Sequence, residues 1–332
     1  MASCELFEVS GHLEKFKENM FLIPFKEAKD YVLRPMSCPN HIQIYKKGLK
    51  SYAQLPLKLF EFGEVARNEA SGALQTLFRM RGFCQDDSHV FSSEQQMERV
   101  LSDYIAMAKS LYSKLGFYDI EYQISLRPAQ RFGDDDLWDK AENALRQACL
   151  NNGISSWKEE QGGGAFYGPK LELHLKDKLG RSWQCGTIQV DYVLPRRFEL
   201  EFVNKDNQSE VPVILHHAVL GSLERFIGIL LENHGEDLPF ELKPCQVAVV
   251  AIKPEQESYA RNVVQQLKKK GLRVKLLCEQ DHLNNKIKKA QGLYPRDILV
   301  IGAKEEQELG VNLRSKDGQK TLCLQEYLES LN

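Results

Sequence analysis

From position 78 to 89 the chain reads FRMRGFCQDDSH, and Arg79, Arg81, Phe83, Gln85, Asp87 and His89 fall at every second position. An extended strand sends alternate side chains to one face. The segment therefore predicts a strand whose one face carries two guanidiniums, a ring, an amide, a carboxylate and an imidazole. The other face, Phe78, Met80, Gly82, Cys84, Asp86 and Ser88, is the more core-like for most of its length. Two readings compete. A face so mixed packs poorly and suits the floor of a binding site, yet the solvated side of an antiparallel sheet also alternates. Upstream, LPLKLFEFGEVARNE reads as a partner strand and EASGALQ as the connecting loop, which predicts an antiparallel hairpin.

Caps and periodicity place the remaining elements. Ser93 with Gln96 forms a capping box, and apolar residues from Met97 to Leu115 recur at helical spacing until Gly116. A strand at YDIEYQISL precedes a helix over 137–151, and Asp134, Asp135 and Asp136 in front of it suit the helix dipole better than a metal. Leu171, Leu173 and Leu175 alternate with Lys170, Glu172 and His174, LGR turns the chain, and a second strand returns. Gln184 and Gln189 have opposite parity, so if both face one ligand the strand is irregular between them, with a bulge at Cys185-Gly186. The GGG at 162–164 is no phosphate loop, because no Gly-Lys-Ser/Thr and no helix follow it. Residues 42–53 read as helical, and 1–30 as irregular. His216 and His217 end an apolar strand, and a helix begins near Gly221 with Arg225 in its first turns, either solvated or at a phosphate. These elements predict a first domain over 1–235 and a linker over 236–244. A small α/β domain follows over 245–332, where strand and helix patterns alternate.

A formal net charge of -2 over 332 residues points to no partner for the whole chain. Residues 253–296, however, hold eleven Lys or Arg against four Asp or Glu, the footprint of a nucleic-acid surface or in part a solvated helix face. The eight cysteines include no C-x-x-C pair, which favours free thiols or isolated metal ligands in a reducing compartment over a disulfide framework. Cys38 and His41, in CPNH, form a C-x-x-H candidate pair. No apolar run reaches the 18 or so residues of a membrane span and no secretory signal opens the chain, so a cytoplasmic protein is expected.

Taken together, these segments resemble the C-terminal two-thirds of bacterial-type threonyl-tRNA synthetases, a family of class II aminoacyl-tRNA synthetases, from about Glu5 onward. The second class II motif, Arg-x-Glu, a loop, then Arg-x-x-x-Phe-x-x-x-Asp, stands here as Arg67, Glu69, Arg79, Phe83 and Asp87. The third stands as GSLERF with Arg225, and RPMSCPNH, QDDSHVF, AFYGPK, QCGTIQVD and LGSLERFIGIL link them in order. The resemblance implies an α/β fold: an antiparallel class II sheet flanked by helices, then a small α/β anticodon-binding domain. It implies activation of L-threonine by ATP with Mg2+, followed by transfer to tRNA(Thr). One Zn2+ would sit on Cys38, His89 and His216, making His41 the wrong partner, and would bind the amino group and hydroxyl of threonine. Arg67 would hold the α-phosphate, Arg79 and Arg225 the outer phosphates, with Arg67 and Arg225 carrying catalysis. Glu69 would meet the adenine amino group and Phe83 its ring, Lys170 and Gln184 would line the ATP side, and Asp87, Tyr167 and Gln189 would surround threonine. Glu305 and Arg314 would read the anticodon, with Gln280 and Lys288 standing where relatives more often have Asn and Arg.

The chain would, by the resemblance, begin at or just past the end of the first class II motif. By the resemblance it lacks the editing domain and the dimer-forming element, which weakens the homodimer expected of the family. The alternative to the enzyme is a non-catalytic RNA-binding paralogue or fragment that keeps the fold.

Overall fold

The predicted hairpin forms one edge of a seven-stranded sheet. In the computed structural model, which describes residues 1–25, 29–316 and 318–331, β1 (Leu57–Ala66) pairs antiparallel with β2 (Gly82–Ser92). The other strands are β3 (Ile120–Ser125), β4 (Lys158–Glu160), β5 (Lys170–Lys176), β6 (Ser182–Asp191) and β7 (Val213–Ala218). Their order is β1-β2-β7-β6-β5-β3-β4, antiparallel throughout except for the β3–β4 pair. The polar faces of β2, β7 and β6 thus lie side by side. The chain divides into two compact units, Met1–Asn233 and His234–Asn332.

Helices cover the sheet. In α1 (Cys38–Tyr45) the first turn holds Pro39, and Cys38, His41, Ile42 and Tyr45 are buried. In α2 (Glu94–Lys114) the Ser93 N–H donates to Gln96 Oε1 at 3.1 Å, and the buried residues Met97, Val100, Leu101, Tyr104, Ile105, Ala108 and Tyr112 follow the spacing read from the sequence. Burying a leucine-sized side chain is worth about 1.5–3 kcal/mol against about 1 kcal/mol for a cap, so packing holds this helix more than its ends do. α3 (Asp135–Asn151) starts after Asp134, and its Asp135 pairs with Arg131 rather than joining a metal cluster. α4 (Leu223–His234) ends before Gly235.

Three expectations change. β2 begins at Gly82, so Arg79 and Arg81 precede it. Residues 75–79 form a tight turn in which the Phe78 N–H donates to Gln75 O, Thr76 has φ 38°, and the Phe78 ring is drawn onto Trp183 at 4.4 Å. The helix read over 42–53 lies earlier, at Cys38–Tyr45, and is cut off before Gly48, whose φ is +84°. The stretch read as irregular contains helices Cys4–Val9 and His12–Lys15, and strand Phe21–Ile23 pairs with Tyr31–Leu33; its positions 26–28 lie outside the described residues.

The predicted bulge is present. Register along β5 and β6 passes from Leu173 opposite Gly186 to His174 opposite Gln184, leaving Cys185 as the extra residue. The turn between these strands is tied by Asp177, which accepts from the Leu179 and Arg181 N–H groups, Arg181 Nε and Trp183 Nε1 at 2.6–3.0 Å. Burial raises the Asp177 carboxyl, but hydrogen bonds from Trp183, Arg181 and the turn backbone outweigh it and hold the group down at about 2. A depressed carboxylate stabilises the fold above its unfolded value near 4 and loses that contribution as pH falls through about 2. Asp177→Asn is therefore expected to cost about 2–3 kcal/mol at pH 7 in urea unfolding, and the gap from wild type should close between pH 4 and 2. A gap constant down to pH 2 would contradict this.

The second unit carries a five-stranded sheet. Strand Val247–Ala251 lies between Val274–Leu277 and Asp297–Ile301, all parallel, and Gly310–Ser315 and Gly318–Cys323 add an antiparallel edge. Helix Glu257–Lys269 buries Tyr259, Ala260, Val263, Val264 and Leu267 against one side.

Candidate functional site

A cleft of about 310 Å³ opens over the polar faces of β2, β6 and β7. Cys38, Arg67, Glu69, Arg79, Phe83, Asp87, Tyr167, Lys170, Gln184, Gln189, His216 and Arg225 all line it. His89, fully buried, lies beneath it: the ligand atoms of Cys38, His89 and His216 fall within 4.8 Å of one another. Twelve cleft residues and one buried histidine, drawn from positions 38 to 225, thus come together in space.

The three possible metal ligands come from three elements: Cys38 opens α1, His89 lies in β2, and His216 stands opposite it in β7. Cys38 Sγ is 3.2 Å from His216 Nδ1, while His216 Nε2 meets Asp191 Oδ2 at 2.8 Å. His89 Nδ1 meets His41 Nδ1 at 2.7 Å, and its Nε2, buried, has no hydrogen-bond partner among the described residues. Each histidine is therefore oriented through one ring nitrogen, which leaves His89 Nε2 and His216 Nδ1 on the Cys38 side. That is the usual environment of a metal-bound imidazole, and the chemistry fits zinc, which accepts thiolate and imidazole ligands. Burial lowers His89 well below the ordinary imidazole value, with His216 and His41 adding to the effect, so it is neutral and able to donate a lone pair. Burial pushes the Cys38 thiol well up, and Asp87 and Asp191 raise it further. His41, the partner suggested by C-x-x-H spacing, instead links His89 to Glu61, 3.6 Å from its Nε2.

Around this cluster the polar groups face inward. Asp87 is 6% exposed and accepts from the Ser37 N–H at 3.3 Å; burial raises its carboxyl, and Ser37, His216 and His41 oppose the rise. The Tyr167 hydroxyl donates to Gln189 Oε1 at 2.8 Å, and both residues line the cleft. Arg67 Nε donates to Pro35 O at 3.2 Å, and its guanidinium lies over the Phe83 ring at 5.2 Å. Arg225 Nε donates to Phe78 O at 2.8 Å and Nη1 to Gln184 O at 3.2 Å. Lys170 is paired with Glu172, a buried carboxylate that also accepts from Ser125. Arg79 is bound to Glu69 at 3.1 Å. Arg81 is not in the cleft: it donates to Glu69 O and Ser71 Oγ and braces the loop between the hairpin strands.

Several groups at the site were not read from the sequence. Thr187 Oγ1 and His217 Nδ1 are buried without a partner among the described residues, and both residues line the cleft. His12, 0% exposed, has Nδ1 2.7 Å from Ser10 Oγ and its ring 6.2 Å from that of Tyr167. Burial holds it at about 3, with His216 and Arg67 adding to the effect. The parity of β6 could have marked Thr187; nothing local marks His12.

The anticodon candidates are spread out. Gln280 and Lys288 are exposed, Glu305 Oε2 accepts from the Gly302 N–H at 2.9 Å, and Arg314 lies opposite Ile298. Gln280 and Glu305 follow the carboxyl ends of parallel strands, whereas Arg314 stands near the amino end of Asp297–Ile301.

Residues 21–234 match the tRNA synthetase class II core domain (G, H, P, S and T), and 246–330 match an anticodon binding domain. The threonine--tRNA ligase of Cupriavidus necator is 48% identical over 311 residues, 94% of this chain and 49% of that protein. The chain thus spans about half the length of the curated relatives it matches. The crystal structure of the RNA binding domain of threonyl-tRNA synthetase from Cryptosporidium parvum is similar with a TM-score of 0.93 and 39% identity, covering 99% of this chain and 82% of that one. Giardia lamblia prolyl-tRNA synthetase, at 18% identity and a TM-score of 0.72 over 98% of this chain and 63% of that one, shares the fold. No helix among the described residues is long and apolar enough to cross a membrane.

Proposed function

The chain belongs to the threonyl-tRNA synthetase family of class II tRNA synthetases, and on that premise we propose that it activates L-threonine with ATP and passes the threonyl group to tRNA(Thr). The observation that carries this reading is the convergence of Arg67, Arg225, Asp87 and the Cys38–His89–His216 cluster on one cleft.

The threonine carboxylate attacks the α-phosphate of ATP and pyrophosphate leaves; a terminal ribose hydroxyl of the tRNA then takes the threonyl group from the adenylate, and AMP leaves. The substrate supplies the nucleophile, so the chain contributes position and charge. Arg67 faces the α-phosphate, and Arg79 and Arg225 the outer phosphates, which Mg2+ accompanies. Glu69 accepts from the adenine amino group and Phe83 stacks on the ring, while Lys170 and Gln184 line this side. Asp87, Tyr167 and Gln189 close around the threonine. Zinc, when bound by Cys38, His89 and His216, supplies a Lewis-acid contact for the amino group and hydroxyl of threonine.

Selectivity follows from that chemistry. A site that binds the hydroxyl rejects valine by roughly ten-thousandfold, whereas the methyl group missing from serine is worth only about 1–3 kcal/mol. The cleft by itself therefore refuses valine and admits serine. In the second unit the excess of Lys and Arg over 253–296 would meet the anticodon arm, with Gln280, Lys288, Glu305 and Arg314 as the residues to test.

Threonine-dependent ATP–pyrophosphate exchange tests the proposal. Zinc-loaded protein is expected to exchange with threonine, more weakly with serine, and not with valine. Absence of exchange beside intact tRNA binding would favour the non-catalytic reading.

A further inference from the structure

Asp86, between two residues that face the cleft, faces away from it. It is 7% exposed, and among the described residues no Lys, Arg or His forms an ion pair with it. Its charge is met by backbone instead: Oδ2 accepts from the Val219 and Leu220 N–H groups and Oδ1 from the Gly221 N–H, each at 2.8 Å. The Asp86 N–H donates in turn to Gly221 O at 3.3 Å.

The 218–222 loop is gripped from α2 as well. The Tyr104 hydroxyl donates to Ala218 O at 2.9 Å and the Tyr112 hydroxyl to Val219 O. A Cβ at position 186 would meet these two hydroxyls at 2.8 and 2.7 Å, so glycine there gives them room. At Gly221, with φ +73°, a Cβ would lie 2.5 Å from Cys185 O. Just beyond, Ser222 Oγ accepts from the Arg225 N–H at 3.3 Å, and both Glu224 oxygens accept from the Cys84 N–H, returning α4 to β2.

We propose that Asp86 is the positioning residue for Arg225: its carboxylate fixes the 218–222 loop and thereby sets where α4 begins and where the Arg225 guanidinium stands over the phosphates. The inference rests on the phosphate-binding role given to Arg225 above. A carboxylate is required because three N–H donors need a group that only accepts; in asparagine one oxygen becomes an NH2 and confronts a donor. Strand period does the rest. Asp87 points to the amino acid, Asp86 to the loop, and two adjacent residues register one substrate against the other.

A double-mutant cycle tests this, read as ATP affinity by calorimetry and as kcat/KM for ATP in pyrophosphate exchange. Asp86→Asn is expected to lower kcat/KM for ATP by about 100-fold, the usual cost of a catalytic group displaced by about 1 Å, with threonine affinity and zinc content within about twofold. In an Arg225→Ala background the same change should alter either ATP readout by less than about threefold, because its target is gone. Effects that multiply in the double variant, or threonine affinity falling in step with ATP affinity, overturn the assignment. If Asp86→Asn fails to fold, Asp86→Glu, which keeps the acceptors but displaces the loop by a methylene, enters the same cycle. Should wild type show no exchange, the activity reading fails, and the ATP-affinity cycle still decides the role of Asp86.

Discussion

Arg67→Lys is expected to reduce threonine-dependent pyrophosphate exchange by about 100- to 1000-fold, the range found when one preorganised donor to a developing charge is lost. The geometry explains why charge alone does not suffice. Arg67 uses Nε on Pro35 O and holds its guanidinium carbon 5.2 Å from the centre of the Phe83 ring. An ammonium has one nitrogen and no plane, so it cannot keep the anchor, the ring contact and a two-point grip on phosphate together. The exchange rate is to be measured with zinc content and melting temperature alongside. A loss below tenfold, or one that tracks melting temperature, would overturn the role given to Arg67.

Cys38→Ala is the second large effect. It removes the thiolate and leaves His89 and His216 facing each other across the gap. Zinc content after dialysis is expected to fall from one per chain to near zero, and the preference for threonine over valine in exchange from roughly ten-thousandfold to about tenfold. His41→Ala provides the contrast. Because His41 touches His89 rather than joining the cluster, its loss should weaken zinc binding by only about 10- to 100-fold. Zinc retained by Cys38→Ala, or lost equally in both variants, would refute the ligand assignment.

Legibility in the sequence followed the range of the forces involved. Strand parity is local, and it identified the β1–β2 hairpin, the cleft-facing Phe83, Gln85 and Asp87, and the irregular point at Cys185. The same rule failed at Arg79 and Arg81, where alternation continues in the letters while the backbone turns to bring Phe78 onto Trp183. The metal cluster is not local at all. Its members are 51 and 127 positions apart, from 38 to 89 and from 89 to 216, so spacing selected His41, and only the family resemblance named the three. The short elements before residue 34 were missed because their cohesion comes from buried contacts of Phe7, Met20 and Val32, which no helical or strand period announces. Asp86 was assigned to the core-like face, and it is buried; its grip on a loop more than 130 positions away has no local sign.

The extra residue in β6 has a consequence for how this strand can vary. Gln184 and Gln189 differ in parity yet both line the cleft, so the strand presents side chains to it in two phases, with Cys185 as the frameshift between them. Exchanging the side chain at 185 leaves the phase intact; removing or adding one residue there reverses it and turns one glutamine out of the cleft. At position 185 this strand is therefore more sensitive to a change of length than to a change of letter, unlike the surface loops around it, which accept insertions.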